Sequence, residues 1–446
     1  MSPRPPDRAR RVAYDALRAV HADGAYANLI LAKLLSDRRL DSRDAAFATE
    51  LASGTCRMEA TYDQIIAAAS GRPLSSLQPA VLDVLRLGAH QLLAMRVPQH
   101  AAVAATVNLA ASAVGERVAG LTNAVLRRVA TRDYDAWVDE LTDGQDRLAA
   151  LAVRFAHPAW IVQAFAALLP AEELPAALAA DNAGPAVSLA VRPGLAETEE
   201  LVAAGATPGR QSPFAVSWSG NPGELPAVRT GRAGVQDEGS QLAAWGLARA
   251  SVKPGWWLDL CAGPGGKTSL LAGLAAQQGS RLLANEISPH RAQLVAGAVR
   301  AYPPAGRPAL VISDGTRPSW QPGRFTRVLV DAPCSGLGAL RRRPESRWRR
   351  TPADVEDMHQ LQRGLLQTAL DAAAPGGVVA YVTCSPHVRE TTDVVQEVLA
   401  TRTDLDVEDA QELLPELTGA GRGPFLQLWP HRHGTDAMFA AYLRKR

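Results

Sequence analysis

Cysteine is scarce in this 446-residue chain: Cys56, Cys261, Cys334 and Cys384 are its four thiols, and they stand far apart. No two form a CxxC pair and the histidines lack ligand spacing, so neither a disulfide scaffold nor a metal site is expected. So few thiols suit a reduced, cytoplasmic setting. Long apolar runs are also missing. No stretch reaches the ~18 consecutive apolar residues of a membrane span. The opening MSPRPPDRARR has charge but no apolar segment of a secretory signal, so no membrane association is expected. A dominant charge of one sign is absent too, the net charge being +2. That excludes a uniformly basic protein but not a local nucleic-acid surface, because residues 1–135 carry +4, 136–235 carry −5 and 236–446 carry +3. Lysine is nearly absent, and arginine supplies almost all the positive charge.

What is present is organised. At roughly 150 residues per domain the length suggests two or three domains. Residues 1–140 read as an all-α domain. RARRVAYDALRAV, SRDAAFATELASGTCR and PAVLDVLRLGAHQLLAM repeat apolar residues at helical spacing, with breakers such as Asp23-Gly24 and Gly71-Arg72-Pro73 between helices. Residues 141–235 mix helix (PAWIVQAFAALL) with short strands (AVSLAVR, FAVSW), predicting a small α+β domain. From 236 to 446 apolar runs alternate with amphipathic helices, from WWLDL and RLLANEI to RVLVDAP and GVVAYVTCS. This is the pattern of a Rossmann-like α/β domain with a parallel sheet. FLQLWP and AMFAAYLRK are expected to close it as an antiparallel pair.

The strand WWLDL runs into CAGPGGKTS and then a helix. Gly263, Gly265 and Gly266 let backbone approach a ligand at the helix N-terminus. The spacing is neither GxxxxGK[ST] nor GxGxxG, which argues against nucleoside triphosphates and dinucleotides. Asp259 precedes the turn, Glu286 ends the second strand and Asp314 follows the third. A strand-end acid can accept ribose hydroxyls. Three carboxylates around one glycine turn suit S-adenosylmethionine, which carries a sulfonium and no phosphate.

Two cysteines lie at strand ends, where ligands of such sheets bind: Cys334 in DAPCSGLG, with Asp331, and Cys384 in TCSP. C5 of a pyrimidine takes a methyl group only after activation. Thiolate addition at C6 makes C5 nucleophilic, an acid at N3 stabilises the developing charge, and a base then removes the C5 proton so that the thiol can leave. Two thiols and Asp331 match these roles. The residues alone leave open which cysteine attacks.

DLCAGPGGKT (259–268), DAPCSGLG (331–338) and YVTCS (381–385) resemble motifs of the RNA 5-methylcytosine methyltransferases. With VQDEGSQ (235–241) and RRRPESRW (341–348) they most closely resemble the bacterial branch acting on small-subunit (16S) ribosomal RNA, whose N-terminal RNA-binding domain is NusB-like. SRDAAFATELASGTCR looks like part of such a domain. The resemblance implies an RNA (cytosine-5)-methyltransferase that uses S-adenosylmethionine and releases S-adenosylhomocysteine. It makes Cys384 the nucleophile and Cys334 the aid to release, although DNA cytosine methyltransferases use the PC-type cysteine. It places the methyl donor against Cys261, Ala262, Gly263, Pro264, Gly265, Gly266, Lys267, Glu286, Arg291, Asp314 and Asp331. The chain departs from the family pattern at Glu286 (commonly Asp), Arg343 (often His), Arg389-Glu390-Thr391 (often Glu-Asn-Glu) and Ala437-Met438.

RRRPESRWRR follows the DAPCSG loop directly. Arginine forks match phosphates and aromatics stack on unpaired bases, so Arg341, Arg342, Arg343, Arg347 and Trp348 are the expected RNA contacts. The target cytosine must be unpaired or flipped out. A monomer acting on 16S rRNA is expected. Rival readings are a methyltransferase of tRNA or another RNA, and a non-catalytic NusB-like RNA-binding adaptor.

Overall fold

In the computed structural model, which describes residues 7–446, the chain divides into two compact units. The first six residues of the N-terminal segment lie outside the described ones. One unit runs up to Gly184 and includes Leu340–Arg349; the other is Pro185–Ala339 with Arg350–Arg446. Among the described residues no single helix is long and apolar enough to cross a membrane.

The first unit is all helix. Its longest element, Ser42–Ser70, starts where the Asp41 carboxylate accepts from the Asp44 N–H and stops at Gly71, whose φ of 64° is left-handed. Leu51, Tyr62, Ile65 and Ile66 along it are fully buried. Each large aliphatic side chain among them contributes roughly 1.5–3 kcal/mol by leaving water. Gly54 lets this helix lie against Pro79–Leu93, because a Cβ there would come 2.2 Å from the His90 ring. Polar groups are buried here in matched sets. Arg18 and His21 meet Asp83 at 2.7 Å each, and Arg86 meets Asp63 at 2.6 Å and Glu59 at 3.0 Å. Burial alone would depress His21, but the Asp83 and Glu59 carboxylates outweigh it and push the imidazole up to about 9.

The middle segment expected over 141–235 is not one body. Helices Arg147–Arg154, Ala159–Ala166 and Leu174–Asn182 belong to the first unit, where Thr61 donates to the Val153 carbonyl at 2.5 Å and Tyr134 to that of Arg154 at 2.6 Å. The strands of the segment belong to the second unit as a four-stranded antiparallel sheet, in the order Thr207–Pro208, Ala215–Trp218, Val187–Val191, Ala233–Val235. That sheet is tied to the helix Glu238–Arg249 by Ser212 bonded to Gln241 at 2.7 Å and Phe214 packed edge-on against Trp245. Helical apolar stripes and strand apolar faces thus find cores of their own kind.

The large sheet of the second unit carries the expected α/β core. Its parallel strands run in the spatial order Ala309–Val311, Arg281–Asn285, Trp256–Asp259, Phe325–Asp331, Ala373–Thr383. Phe439–Lys445 then pairs antiparallel to Ala373–Thr383, and Phe425–Gln427 pairs antiparallel to Phe439–Lys445, as FLQLWP and AMFAAYLRK implied. Two apolar cores fill opposite faces, one around Trp257, Leu271 and Tyr442, the other around Val330, Leu366 and Tyr381. Strand order reverses between Trp256–Asp259 and Phe325–Asp331, so a crevice opens beyond their C-terminal ends.

Candidate active site

The glycine turn leaves Trp256–Asp259 and enters the helix Gly266–Gln277 through Gly265, whose φ is 108°. The Gly263 N–H donates to Glu286 Oε2 at 2.9 Å, and Ser288 N–H donates to Oε1 at 3.0 Å. Arg291 donates to the Gly263 carbonyl and stands 3.8 Å from Glu286. The turn is thereby fastened to the end of the second strand. Each Glu286 oxygen keeps a further lone pair for a hydroxyl donor. Asp259 is buried, and Thr268 donates to its Oδ2 at 2.7 Å. Burial pushes this carboxyl up to about 7, with the Asp331 charge adding to the rise and the Thr268 bond opposing it.

Asp314 lies three residues past its strand and accepts from the Thr316 N–H at 2.9 Å and hydroxyl at 2.8 Å, bonds that hold it below the usual carboxylate range. Sequence reasoning missed two neighbours. Ile287 and Ile312 are exposed large apolar side chains beside Glu286 and Asp314. Their segments are joined by Glu286 N–H to Val311 O at 3.2 Å and Ser313 to Asn285 at 2.7 Å. Exposed isoleucines at two adjacent strand ends suit the faces of a flat base. Their one sequence signal is an apolar residue beside each strand-end acid.

Lys267 and Asp331 meet across the point where strand order reverses, Nζ to Oδ2 at 2.9 Å. Burial alone would weaken the ammonium, but the Asp331 charge and bond outweigh it and hold Lys267 above the ordinary lysine value. The lysine thus pairs with an acidic neighbour rather than standing free. One Asp331 oxygen is engaged here.

Beyond Asp331 the two cysteine loops converge. Cys334 Sγ and Cys384 Sγ stand 3.4 Å apart, and both residues are half-buried. Cys334 is raised well above the ordinary thiol range, first by its bond to Cys384 and then by burial. The loops are also joined through backbone: Gly338 N–H donates to Cys384 O at 2.9 Å, and Ala437 N–H donates to Gly338 O at 2.8 Å. A Cβ on Gly338 would lie 2.0 Å from the Ala437 carbonyl oxygen, so only glycine permits this approach. Cys261 sits in the glycine turn with its thiol pushed up by burial, and Cys56 is buried in the helical unit. Among the described residues no group of three His, Cys, Asp or Glu is placed to hold a metal ion.

The expected RNA-contact residues need correction. Arg347 is fully buried in the helical unit, donating to Asn182 Oδ1 at 2.7 Å and to the carbonyls of Ala156 at 3.1 Å and Asp181 at 3.2 Å. Burial pushes its guanidinium down to about 10. Trp348 donates its indole N–H to Cys56 O at 2.8 Å, and Arg341 is buried. Arg342 is half-buried. Arg343 is exposed, its guanidinium over the Tyr26 ring at 5.5 Å. A run that reads as RNA-facing charge therefore supplies interior hydrogen bonds through Arg347 and Trp348.

Comparison with known proteins places the chain in a family. Residues 249–444 match the family model described as 16S rRNA methyltransferase RsmB/F, and residues 7–131 match the NusB family. The chain is 53% identical to Rv1407 of Mycobacterium tuberculosis (strain ATCC 25618 / H37Rv), whose methyltransferase assignment is itself provisional, over 99% of this chain and 97% of that one. It is 33% identical to the ribosomal RNA small subunit methyltransferase B of Pseudomonas putida, over 98% of both. A crystal structure of PH0851 shares the fold with a TM-score of 0.79 at 21% identity, covering 98% of both chains.

Proposed function

The chain belongs to the 16S rRNA methyltransferase RsmB/F family, and from that premise we propose that it methylates C5 of a cytosine in 16S ribosomal RNA through a covalent adduct. The observation that carries this reading is the pair of thiols 3.4 Å apart at adjacent strand ends, beside the Lys267–Asp331 pair. S-adenosylmethionine would be held by the Cys261–Lys267 turn, Asp259, Glu286, Arg291, Asp314 and Asp331, and supplies the methyl group. The Glu286 carboxylate at the end of the second strand and the absence of a phosphate-binding spacing support that choice of donor.

The protein's own residues account for the remaining steps. Cys384, as thiolate, forms a bond to C6 and leaves C5 electron-rich. Asp331, held by Lys267, binds the pyrimidine at N3 and steadies the charge that gathers there. After C5 has gained its methyl group, a base takes the C5 proton, the C5–H electron pair re-forms the C5=C6 double bond, and the C6–S bond breaks with its electrons returning to Cys384 as thiolate. Cys334, within hydrogen-bond reach of Cys384, assists that release. The NusB-like helical unit binds RNA, with Arg343 among the exposed arginines of its 340–349 segment.

Cys384→Ala should abolish methyl transfer. Cys334→Ala should instead accumulate a covalent enzyme–RNA adduct, seen as a shifted band on a denaturing gel. A trapped adduct from Cys384→Ala would reverse the two roles. Bisulfite sequencing of ribosomal and transfer RNA from cells with and without the gene tests the substrate, and a lost mark confined to tRNA would overturn the ribosomal assignment.

A further inference from the structure

The loop that carries Cys334 is held from several sides. Lys267 takes Asp331, the Gln362 amide donates to Pro333 O at 2.8 Å, and Gly338 bonds Cys384 O. The hold nearest the thiol is on Ser335. Its N–H donates to Glu390 Oε1 at 2.6 Å and its hydroxyl donates to Glu390 Oε2. The same hydroxyl lies 3.3 Å from that of Ser385, the residue after Cys384. Glu390 is fully buried, and Gln362 also donates to it at 3.3 Å. Its own backbone is fixed by Tyr381, whose hydroxyl donates to Glu390 O at 2.8 Å.

This carboxylate sits in the short helical turn Val388–Glu390 that follows the Cys384 strand. Its neighbour Arg389 turns outward to Glu356, Asp393 and Glu397. Glu390 turns inward, and the donors it receives among the described residues, from Ser335 and Gln362, are neutral. Burying a carboxylate among neutral donors is costly, and a neutral side chain of the same shape would fold more cheaply. A carboxylate accepts two bonds from one serine, which fixes that residue's backbone and rotamer together. Glu390 also adds to the charges that keep Cys334 raised, after the Cys384 bond and burial.

We infer that Glu390 is a positioning residue: by gripping Ser335 from the Cys384 side, it holds Cys334 against Cys384 and so governs release of the cysteine–cytosine adduct. This rests on the covalent reading above. Release needs both thiols in register, whereas attack needs Cys384 alone, so loosening the grip should slow the later step selectively.

The test uses the full-length protein with 16S rRNA and labelled S-adenosylmethionine. Glu390→Ala should lower turnover at least tenfold while the single-turnover methyl transfer and the KM for RNA stay within about twofold. Covalent enzyme–RNA band should accumulate during turnover. Glu390→Gln, which keeps the shape and one acceptor, should recover part of the loss. Should Glu390→Ala fail to fold, Ser335→Ala removes the hydroxyl bond without uncovering a charge and should accumulate adduct likewise. Turnover at the wild-type rate, or a loss of turnover with no adduct, overturns the inference. Cys334→Ala is run alongside: if it traps adduct and the Glu390 and Ser335 variants do not, the positioning role alone fails. If it traps none, the covalent reading fails with it.

Discussion

Replacing Gly338 by alanine tests the geometry of the paired loops most directly. A Cβ there would lie 2.0 Å from the Ala437 carbonyl oxygen and 2.9 Å from that of Cys384. Carbon and carbonyl oxygen approach each other no closer than ~3.3 Å, so the shortfall against Ala437 is about 1.3 Å. Both obstructing atoms are backbone, and no side-chain rotation relieves them. The loop must withdraw by about 1 Å, weakening the Gly338–Cys384 and Ala437–Gly338 bonds and carrying Cys334 with it. Overpacking of this kind costs ~1–3 kcal/mol, and a ~1 Å misplacement of reacting groups costs ~10²-fold in rate. Gly338→Ala should therefore melt a few degrees lower and lose about 100-fold in turnover measured by methyl transfer to RNA. Affinity for S-adenosylmethionine by calorimetry should stay unchanged, because the glycine turn is untouched. Wild-type turnover in a protein with a lowered melting temperature would refute the link between loop contact and chemistry.

Other consequences are testable in the same protein. His21 titrates near 9 when folded and near its ordinary 6.5 when unfolded, a difference worth ~3 kcal/mol. Because the folded value is raised, this stability is complete below about pH 6.5 and is lost as pH rises through about 9. The urea stability of wild type over His21→Gln should shrink between pH 6 and pH 10, and an equal gap at both refutes the assignment. Glu286→Gln should weaken S-adenosylmethionine binding at least tenfold by calorimetry with little change in melting, since one anchor of Gly263 remains; unchanged binding would remove Glu286 from the donor site. Arg347→Met should destabilise the helical unit by ~3 kcal/mol, as its buried carbonyl partners lose their donor. Arg343→Ala should instead weaken RNA binding without shifting the melting temperature, and the reverse pattern would restore Arg347 as an RNA contact.

The strands and the glycine turn were legible because burial on both faces forces continuous apolar runs, and close backbone approach forces glycine. WWLDL, RLLANEI, RVLVDAP and GVVAYVT each became a strand of the large sheet. The two cysteines were legible because a strand end fixes where the next residue lies. The division of 141–235 between two units was not, since an amphipathic stripe states that it needs a core but not which one. The fate of RRRPESRW was hidden for a related reason. Arginine reads as solvent-facing by composition, yet carbonyls at the ends of helices can draw one fully inside. Glu390 was noticed only as a departure from a pattern, because its partner Ser335 lies 55 residues away and no local periodicity joins them.

Leu340–Arg349 also bears on how this protein divides. Chain order makes the two family matches, 7–131 and 249–444, look like separable modules. Yet the polypeptide leaves the catalytic unit after Ala339, contributes ten residues to the helical unit, and returns at Arg350. Together with the passage at Gly184, it therefore crosses between the units three times. A fragment ending before residue 340 would deprive the helices of Arg347 and Trp348, and one beginning at 236 would carry those side chains away from the groups that satisfy them. No single cut in the chain therefore separates the two units with their residues intact.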